Sequence, residues 1–240
     1  MTRAPGSDAA VIFDLDGTLT TSELDFDAIR AEIGGIEGPI LEALQALDES
    51  ARLRAMAIVA RHEEHAARSS RLNPDAREVL DALRAAGVPT AVLTRNSRAS
   101  LRTVAALHAL FFDAERTRED GETKPSPTPV LALCDALDVA PARTIVVGDY
   151  VFDLRAARGA GALAVLLRDE HNADFAPEAD VVVERLTEVL PIVARLGSAP
   201  APRPSTRRRS FRRGPRVADA GVDRGSPAPA RTDRAPEECP

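Results

Sequence analysis

The sequence predicts an α/β fold: a Rossmann-like parallel sheet with helices on both faces, a small helical cap inserted after the first strand, and a disordered C-terminal tail. Three observations predict it. Short apolar runs alternate with segments of helical period, the rhythm of parallel βαβ units with right-handed crossovers. That rhythm breaks once, in residues 22–73, where helical patterns follow one another without a strand. After Leu196, apolar periodicity vanishes and Pro, Gly, Arg, Ser and Ala dominate, leaving too little apolar surface to offset the entropy of ordering.

Residues 9–13 are continuously apolar, as in a strand buried on both faces, and Gly17 lets the chain turn away from the sheet. Residues 25–33 form a short helix ended by Gly34-Gly35, and residues 39–47 form a second, with Pro39 at a tolerated first-turn position. A longer charged helix over Glu49–Ser69 carries Leu53, Met56, Ile58 and Val59 along one side. Asn73-Pro74 starts the next helix, which runs to Ala86 and stops at Gly87. Residues 88–93 are a second buried strand, residues 97–110 a helix, and residues 111–113 a short third strand or a buried turn. Residues 117–129 are polar and proline-rich, hence a loop. A helix over 130–137, a strand over 144–147 and a helix over 152–158 follow. Strands over Leu163–Leu167 and Val181–Val183 and a helix over 186–195 complete the pattern. The expected domains are a core of residues 8–21 and 74–197, a cap of residues 22–73 and a tail of residues 198–240.

At 240 residues, 44% hydrophobic and 28% charged, the chain suffices for one core and a small accessory domain. Aromatic residues make up 3% and Trp is absent, so Ala, Val and Leu must fill that core. Cys134 and Cys239 lie far apart, which argues against a disulfide framework and for a reducing cytosol. No apolar run approaches the roughly 18 residues of a membrane span, and the N-terminus has no apolar signal region. A cytoplasmic protein with no membrane partner is expected. The net charge of −6 hides a split, because residues 198–240 hold ten Arg against five acidic residues and the rest stands at −11. An acidic body argues against nucleic acid as a partner. Lys124 is the only lysine of the chain.

In an open parallel sheet, ligands bind beyond the C-terminal ends of the strands. Asp14, Asp16, Thr94 and Asp149 each end an apolar run, so one folding rule gathers all four. Residues i and i+2 of a strand face the same side, so both first carboxylates can address one phosphorus. Neighbouring carboxylates disfavour each other's ionisation, which leaves one as nucleophile and the other as proton donor. The negative charge calls for Mg²⁺, a hard ion held by a few carboxylates, waters and a phosphate oxygen. Asp149 is the natural second carboxylate, with Gly148 permitting close backbone approach and Asp153 four residues on. Lys124 supplies a point charge, and Thr94 a hydroxyl beside backbone N–H groups at a helix N-terminus.

Asp14-Leu15-Asp16-Gly17-Thr18-Leu19-Thr20, Leu93-Thr94-Arg95-Asn96, Lys124-Pro125 and Gly148-Asp149 with Asp153 resemble the four signature motifs of the haloacid dehalogenase-like (HAD) superfamily, in order and spacing. The resemblance covers about residues 8–195, and the inserted helices resemble a short C1-type cap of the phosphoglycolate phosphatase-like subfamily. It implies that Asp14 becomes phosphorylated and that Asp16 is the general acid/base, also offering its backbone carbonyl to Mg²⁺. Thr94, with Arg95 and Asn96, would bind substrate, and Lys124 would orient and neutralise. Asp149 would ligate the metal and Asp153 support it, giving a metal set of Asp14, Asp16, Asp149 and Asp153. An aspartate at position 16 disfavours the dehalogenase branch, which lacks an acid/base there.

Other patterns have plainer readings. Gly159-Ala160-Gly161-Ala162-Leu163-Ala164 fits a dinucleotide fingerprint but follows a helix and precedes a strand, the reverse of the needed context. His62-Glu63-Glu64-His65 spaces its histidines at i, i+3 and reads as the solvated face of a charged helix. The arginines of 207–216 read as an incidental basic tail. The expectation is a Mg²⁺-dependent phosphatase that hydrolyses a small phosphorylated metabolite through an aspartyl-phosphate. Phosphoglycolate is a candidate because Arg30, Arg52, Arg54 and Arg61 offer charge to a second anion. The alternatives are a sugar phosphomutase of the same superfamily, which needs a water-excluding cap, and a non-catalytic phosphometabolite-binding regulator. Oligomeric state is not encoded in these motifs.

Overall fold

Six parallel strands form one sheet in the computed structural model, which describes residues 8–21 and 24–198. They are β1 (Ala10–Phe13), β2 (Thr90–Leu93), β3 (Ala114–Arg116), β4 (Thr144–Gly148), β5 (Leu163–Leu167) and β6 (Val181–Val183), in the order β3-β2-β1-β4-β5-β6. Val11 pairs with Thr90 on one side and Ile145 on the other, so β1 is central. The helices are α1 (Phe26–Ile33), α2 (Ile40–Leu44), α3 (Glu49–Ser69), α4 (Ala76–Ala85), α5 (Arg98–Leu107), α6 (Thr128–Leu137), α7 (Val151–Ala160) and α8 (Val189–Ser198). The C-terminal tail with its arginine cluster lies outside the described residues.

The period of two along β1 divides the core. Val11 and Phe13 pack with Val79 and Leu83 of α4, Leu101 and Val104 of α5, and Val189 and Val193 of α8. Ala10 and Ile12 face the other side, against Val130 and Leu133 of α6 and Leu154 and Ala157 of α7. Because both faces are covered, every β1 residue is apolar and none is solvated.

Helices α1 to α3 lie between β1 and β2 in sequence and build an apolar cluster of their own around Ile29, Ile40, Leu44, Ala55 and Val59. Of the expected stripe of α3, Val59 is buried and Met56 packs against this cluster, whereas Leu53 is 65% exposed and the rest of the buried face is Ala55, Glu63, Ala66 and Ala67. Ala residues let α3 lie close to its neighbours, and Ala67 joins the core cluster beneath the sheet. The third strand falls after the Phe pair, not on it. Asp113 donates its N–H to Thr90 O and accepts from Thr90 N, which ties off the edge of β2 before β3 begins. An edge strand of Ala-Glu-Arg carries no apolar run. The expected loop of 117–129 holds a turn of 3₁₀ helix at Arg118–Asp120. Gly161 closes α7 with φ 78°, the helix C-cap expected of the glycine-rich segment. Among the described residues no helix is long and apolar enough to cross a membrane.

Candidate active site

The strand order reverses between β1 and β4, and a crevice at such a switch point is where open α/β sheets bind ligands. Asp14 extends the β1 ladder, donating its N–H to Val147 O at 2.9 Å, and Asp149 leaves the end of β4 beside it. Oδ1 of Asp14 accepts from Leu15 N at 2.7 Å and pairs with Lys124 Nζ at 2.6 Å. The same Nζ reaches Asp153 Oδ1 at 2.6 Å, and both Lys124 and Asp153 are buried. Asp149 Oδ1 accepts from Thr18 Oγ1 at 3.0 Å. Oxygen atoms of Asp14, Asp149 and Asp153 lie within 4.8 Å of one another.

Two glycines make this density of carboxylates achievable. A Cβ on Gly17, which stands at φ +82°, would come within 2.2 Å of Asp149 Oδ2. One on Gly148 would fall 2.1 Å from Asp153 Cγ. Either side chain would evict a carboxylate.

Asp16 is turned differently. Its Oδ2 accepts from Asn96 Nδ2 and its Oδ1 from Thr20 Oγ1 at 3.4 Å. Burial, reinforced by the Asp14 charge and opposed by the Asn96 hydrogen bond, pushes its pKa up to about 7. Asp149 is raised by burial and then by the charges of Asp14 and Asp153. Burial also raises Asp153, with Lys124 pulling it back. Burial works to lower Lys124, but Asp14 and Asp153 outweigh it and hold the ammonium charged.

Thr94 follows β2 and is buried. Its own N–H donates to Arg116 O, its Oγ1 accepts from Asn96 N at 3.1 Å, and Ser97 N donates to Glu63 Oε2 at 3.1 Å. That leaves the Thr94 hydroxyl proton and the Arg95 N–H without a partner in this turn, among the described residues. Glu63 is buried on α3 and paired with the Arg118 guanidinium, while Arg118 N donates to Asn96 O. The expected solvated face holds for Glu64 and His65 only. Glu63 instead straps α3 to the Thr94–Ser97 turn, and His62 binds Glu32.

These groups open into a cavity of about 420 Å³, whose far wall comes from α1, α2 and α3. Of the four arginines expected there, only Arg30 lines it. Arg52 and Arg54 are exposed on the outer side of α3, where Arg54 meets Ser50, and Arg61 is paired with Glu32. Arg95 also lines the cavity, with its guanidinium over the Phe152 ring at 4.8 Å and bonded to Glu42 and the Lys124 carbonyl.

A family model described as haloacid dehalogenase-like hydrolase matches residues 9–161, which contain Asp14, Asp16, Thr94, Lys124, Asp149 and Asp153. The chain belongs to the haloacid dehalogenase-like hydrolases. An uncharacterized hydrolase of Saccharomyces cerevisiae is 30% identical over 78% of this chain and 91% of its own length. The phosphoglycolate phosphatase of Nitrosospira multiformis is 29% identical over 78% and 96%. Among solved structures, a predicted phosphoglycolate phosphatase of Haemophilus somnus superposes with a TM-score of 0.62 at 22% identity, covering 78% and 98% of the two chains.

The HAD-like constellation includes supports that the motifs did not single out. Asn73 Nδ2 donates to the carbonyls of Gly17 and Thr18, holding the turn after Asp16, instead of capping α4. Asn172 Nδ2 donates to Asp149 O and Leu167 O at 2.9 Å, fixing the loop beyond β4. Thr18 stood inside the first motif with no assigned role. Asn73 and Asn172 gave no signal beyond being single polar residues next to helix starts.

The donor set fits a hard divalent cation. Oxygen atoms of Asp14, Asp149 and Asp153 converge in a largely buried site where Lys124 is the one ammonium paired with them, and burial first, then mutual charge, raises the Asp149 and Asp153 carboxyls. The Asp16 carboxylate lies on its Asn96 and Thr20 bonds, outside that trio. A pH dependence follows for protein held in chelator. Asp16 ionises near 3.8 when unfolded and near 7 when folded, so only the folded state keeps its proton between those values. Stability is therefore highest near the lower value and falls as pH rises toward 7, by roughly 4 kcal/mol from Asp16 alone. Melting temperature in EDTA should drop from pH 5 to pH 8, and Mg²⁺ should raise it more at pH 8. A melting temperature that climbs over this range in EDTA would contradict the charge balance described.

Proposed function

We propose that this hydrolase is a Mg²⁺-dependent phosphatase acting on a small phosphomonoester through phosphorylated Asp14. One observation carries the proposal. Asp14 Oδ1 is anchored by Lys124 and Leu15 N, while Oδ2 has no hydrogen bond among the described residues and stands at the cavity floor. Asp14, Asp149 and Asp153, with the Asp16 backbone carbonyl that the family resemblance implies, would hold the ion. When bound, Mg²⁺ supplies positive charge that offsets the phosphate oxygens.

Oδ2 of Asp14 attacks phosphorus, and the bond from phosphorus to the leaving oxygen breaks. Asp16, with a pKa near 7, gives its proton to that oxygen. The ionised Asp16 then takes a proton from water as the water oxygen bonds to phosphorus, and the bond to Asp14 breaks. The Thr94 hydroxyl and Arg95 N–H hold phosphoryl oxygens throughout, and Lys124 stabilises charge on Asp14. Half-exposed Phe26 and Tyr150 on the cavity wall leave it open to the water that hydrolysis consumes, which favours a phosphatase over a phosphomutase. The name of the Nitrosospira relative makes phosphoglycolate the first substrate to assay, with Arg30 and Arg95 as the arginines near enough to meet its carboxylate.

Phosphate release from a panel of phosphomonoesters, with Mg²⁺ and with EDTA, tests this. Release is expected only with the metal and should return when Mg²⁺ is restored. Release that ignores chelation would overturn the metal role, and isomerisation of a sugar phosphate without phosphate release would point to a mutase.

A further inference from the structure

The half of the cavity that faces away from Asp14 has its own chemistry. At about 420 Å³ the cavity lies in the roughly 300–1,000 Å³ range of pockets that enclose drug-sized ligands, and phosphoglycolate leaves most of it unfilled. Its wall on α1, α2 and α3 is aliphatic, with Ile29, Ile40 and Val59 presented to the interior. The aromatic content is more telling. The chain has only seven Phe and one Tyr, yet Phe26, Phe152 and the lone Tyr150 all line this cavity.

Phe26 and Tyr150 are 49% and 46% exposed, although among the described residues Phe13 is the one fully buried aromatic. Ring surface left in water is unfavourable unless something covers it. The platform is also built in advance. Tyr150 meets Phe152 edge to face at 5.0 Å, and Arg95 covers the other partner at 4.8 Å. The cations of this half are already matched: Arg95 binds Glu42 and Arg30 binds Asp27, both at hydrogen-bond distance. A second anion on the substrate would have to share a guanidinium whose charge a carboxylate already offsets.

Resting on the phosphatase reading above, we propose that the substrate is the phosphate monoester of a neutral, ring-bearing alcohol. Its ring lies against Phe26 and Tyr150 while its phosphate occupies the carboxylate floor. Neither the signature motifs nor the charge of the helices expresses this, because the lining residues come from separated segments.

Phosphonates test it, since they bind without turning over. Calorimetric titration of the full chain in Mg²⁺ should find benzylphosphonate bound at least about tenfold more tightly than phosphonoacetate. Phe26→Ala and Tyr150→Ala should each cut that ratio several-fold, and both positions are exposed enough for the variants to fold. Equal affinity, a preference for phosphonoacetate, or a ratio untouched by both substitutions would overturn the proposal. If phosphate is released from phosphoglycolate while the ring preference is absent, this proposal falls and the phosphatase reading stands. If the ring preference is present with no turnover of any ester, the phosphatase reading falls and takes the substrate assignment with it, and the ring site stands as a binding site alone. Binding of neither phosphonate overturns both.

Discussion

Asp14→Asn should abolish phosphate release, by about 10⁴-fold or more, while leaving the fold intact. The amide is the same size and keeps an oxygen for the Leu15 N–H and the Lys124 ammonium, so the β1 end needs no rearrangement. What disappears is the anionic oxygen that the proposed mechanism uses to attack phosphorus. The substitution also removes a charge that raises both Asp16 and Asp149. The metal-free variant should therefore melt no lower than the wild type at pH 8, and phosphate assays beside calorimetry separate the two effects. Activity within tenfold of wild type would rule out Asp14 as nucleophile.

Lys124→Met carries the other large effect, and it acts on stability first. Lys124 lies buried and binds Asp14 and Asp153 at once, so its loss strands two carboxylates beside Asp149. Breaking a buried ion pair by removing one partner costs about 3–5 kcal/mol. For a domain of this size that corresponds to a melting temperature lower by roughly 10 °C in EDTA. Added Mg²⁺ should recover more of the melting temperature in this variant than in wild type, because it supplies the missing charge. Catalysis should stay depressed by about a hundredfold or more even then, since the ammonium also steadies Asp14. An unchanged melting temperature in EDTA would show that the cluster does not depend on Lys124.

Much of this site was legible in the sequence for one reason: parallel strands buried on both faces are written as apolar runs, and the chemistry sits where they end. Asp14, Thr94 and Asp149 could be placed by that rule alone. Roles could not, and came from the family resemblance. What the sequence concealed is tertiary. The strand at Ala114–Arg116 is polar because it is at the sheet edge. Glu63 reads as one more charge on a charged helix, and only the approach of Arg118 and Ser97 N makes its burial tolerable. Leu53 reads as core and is exposed, because close packing of α3 selects its alanines. Asn73 and Asn172 hold backbone carbonyls far away in sequence, which no local pattern encodes. Arg52, Arg54 and Arg61 show the limit from the other side, since composition placed charge on the right helix and not on the right face.

The most direct measurement is chemical trapping of Asp14 during turnover. Wild-type protein with Mg²⁺ and a hydrolysed phosphomonoester is quenched rapidly, treated with borohydride and digested for peptide mass spectrometry. Borohydride reduces an acyl phosphate to an alcohol, so homoserine should be found at position 14 and nowhere else, and only when substrate and Mg²⁺ are both present. Turnover that proceeds with position 14 unreduced, or with the reduced residue at another carboxylate, would contradict the account.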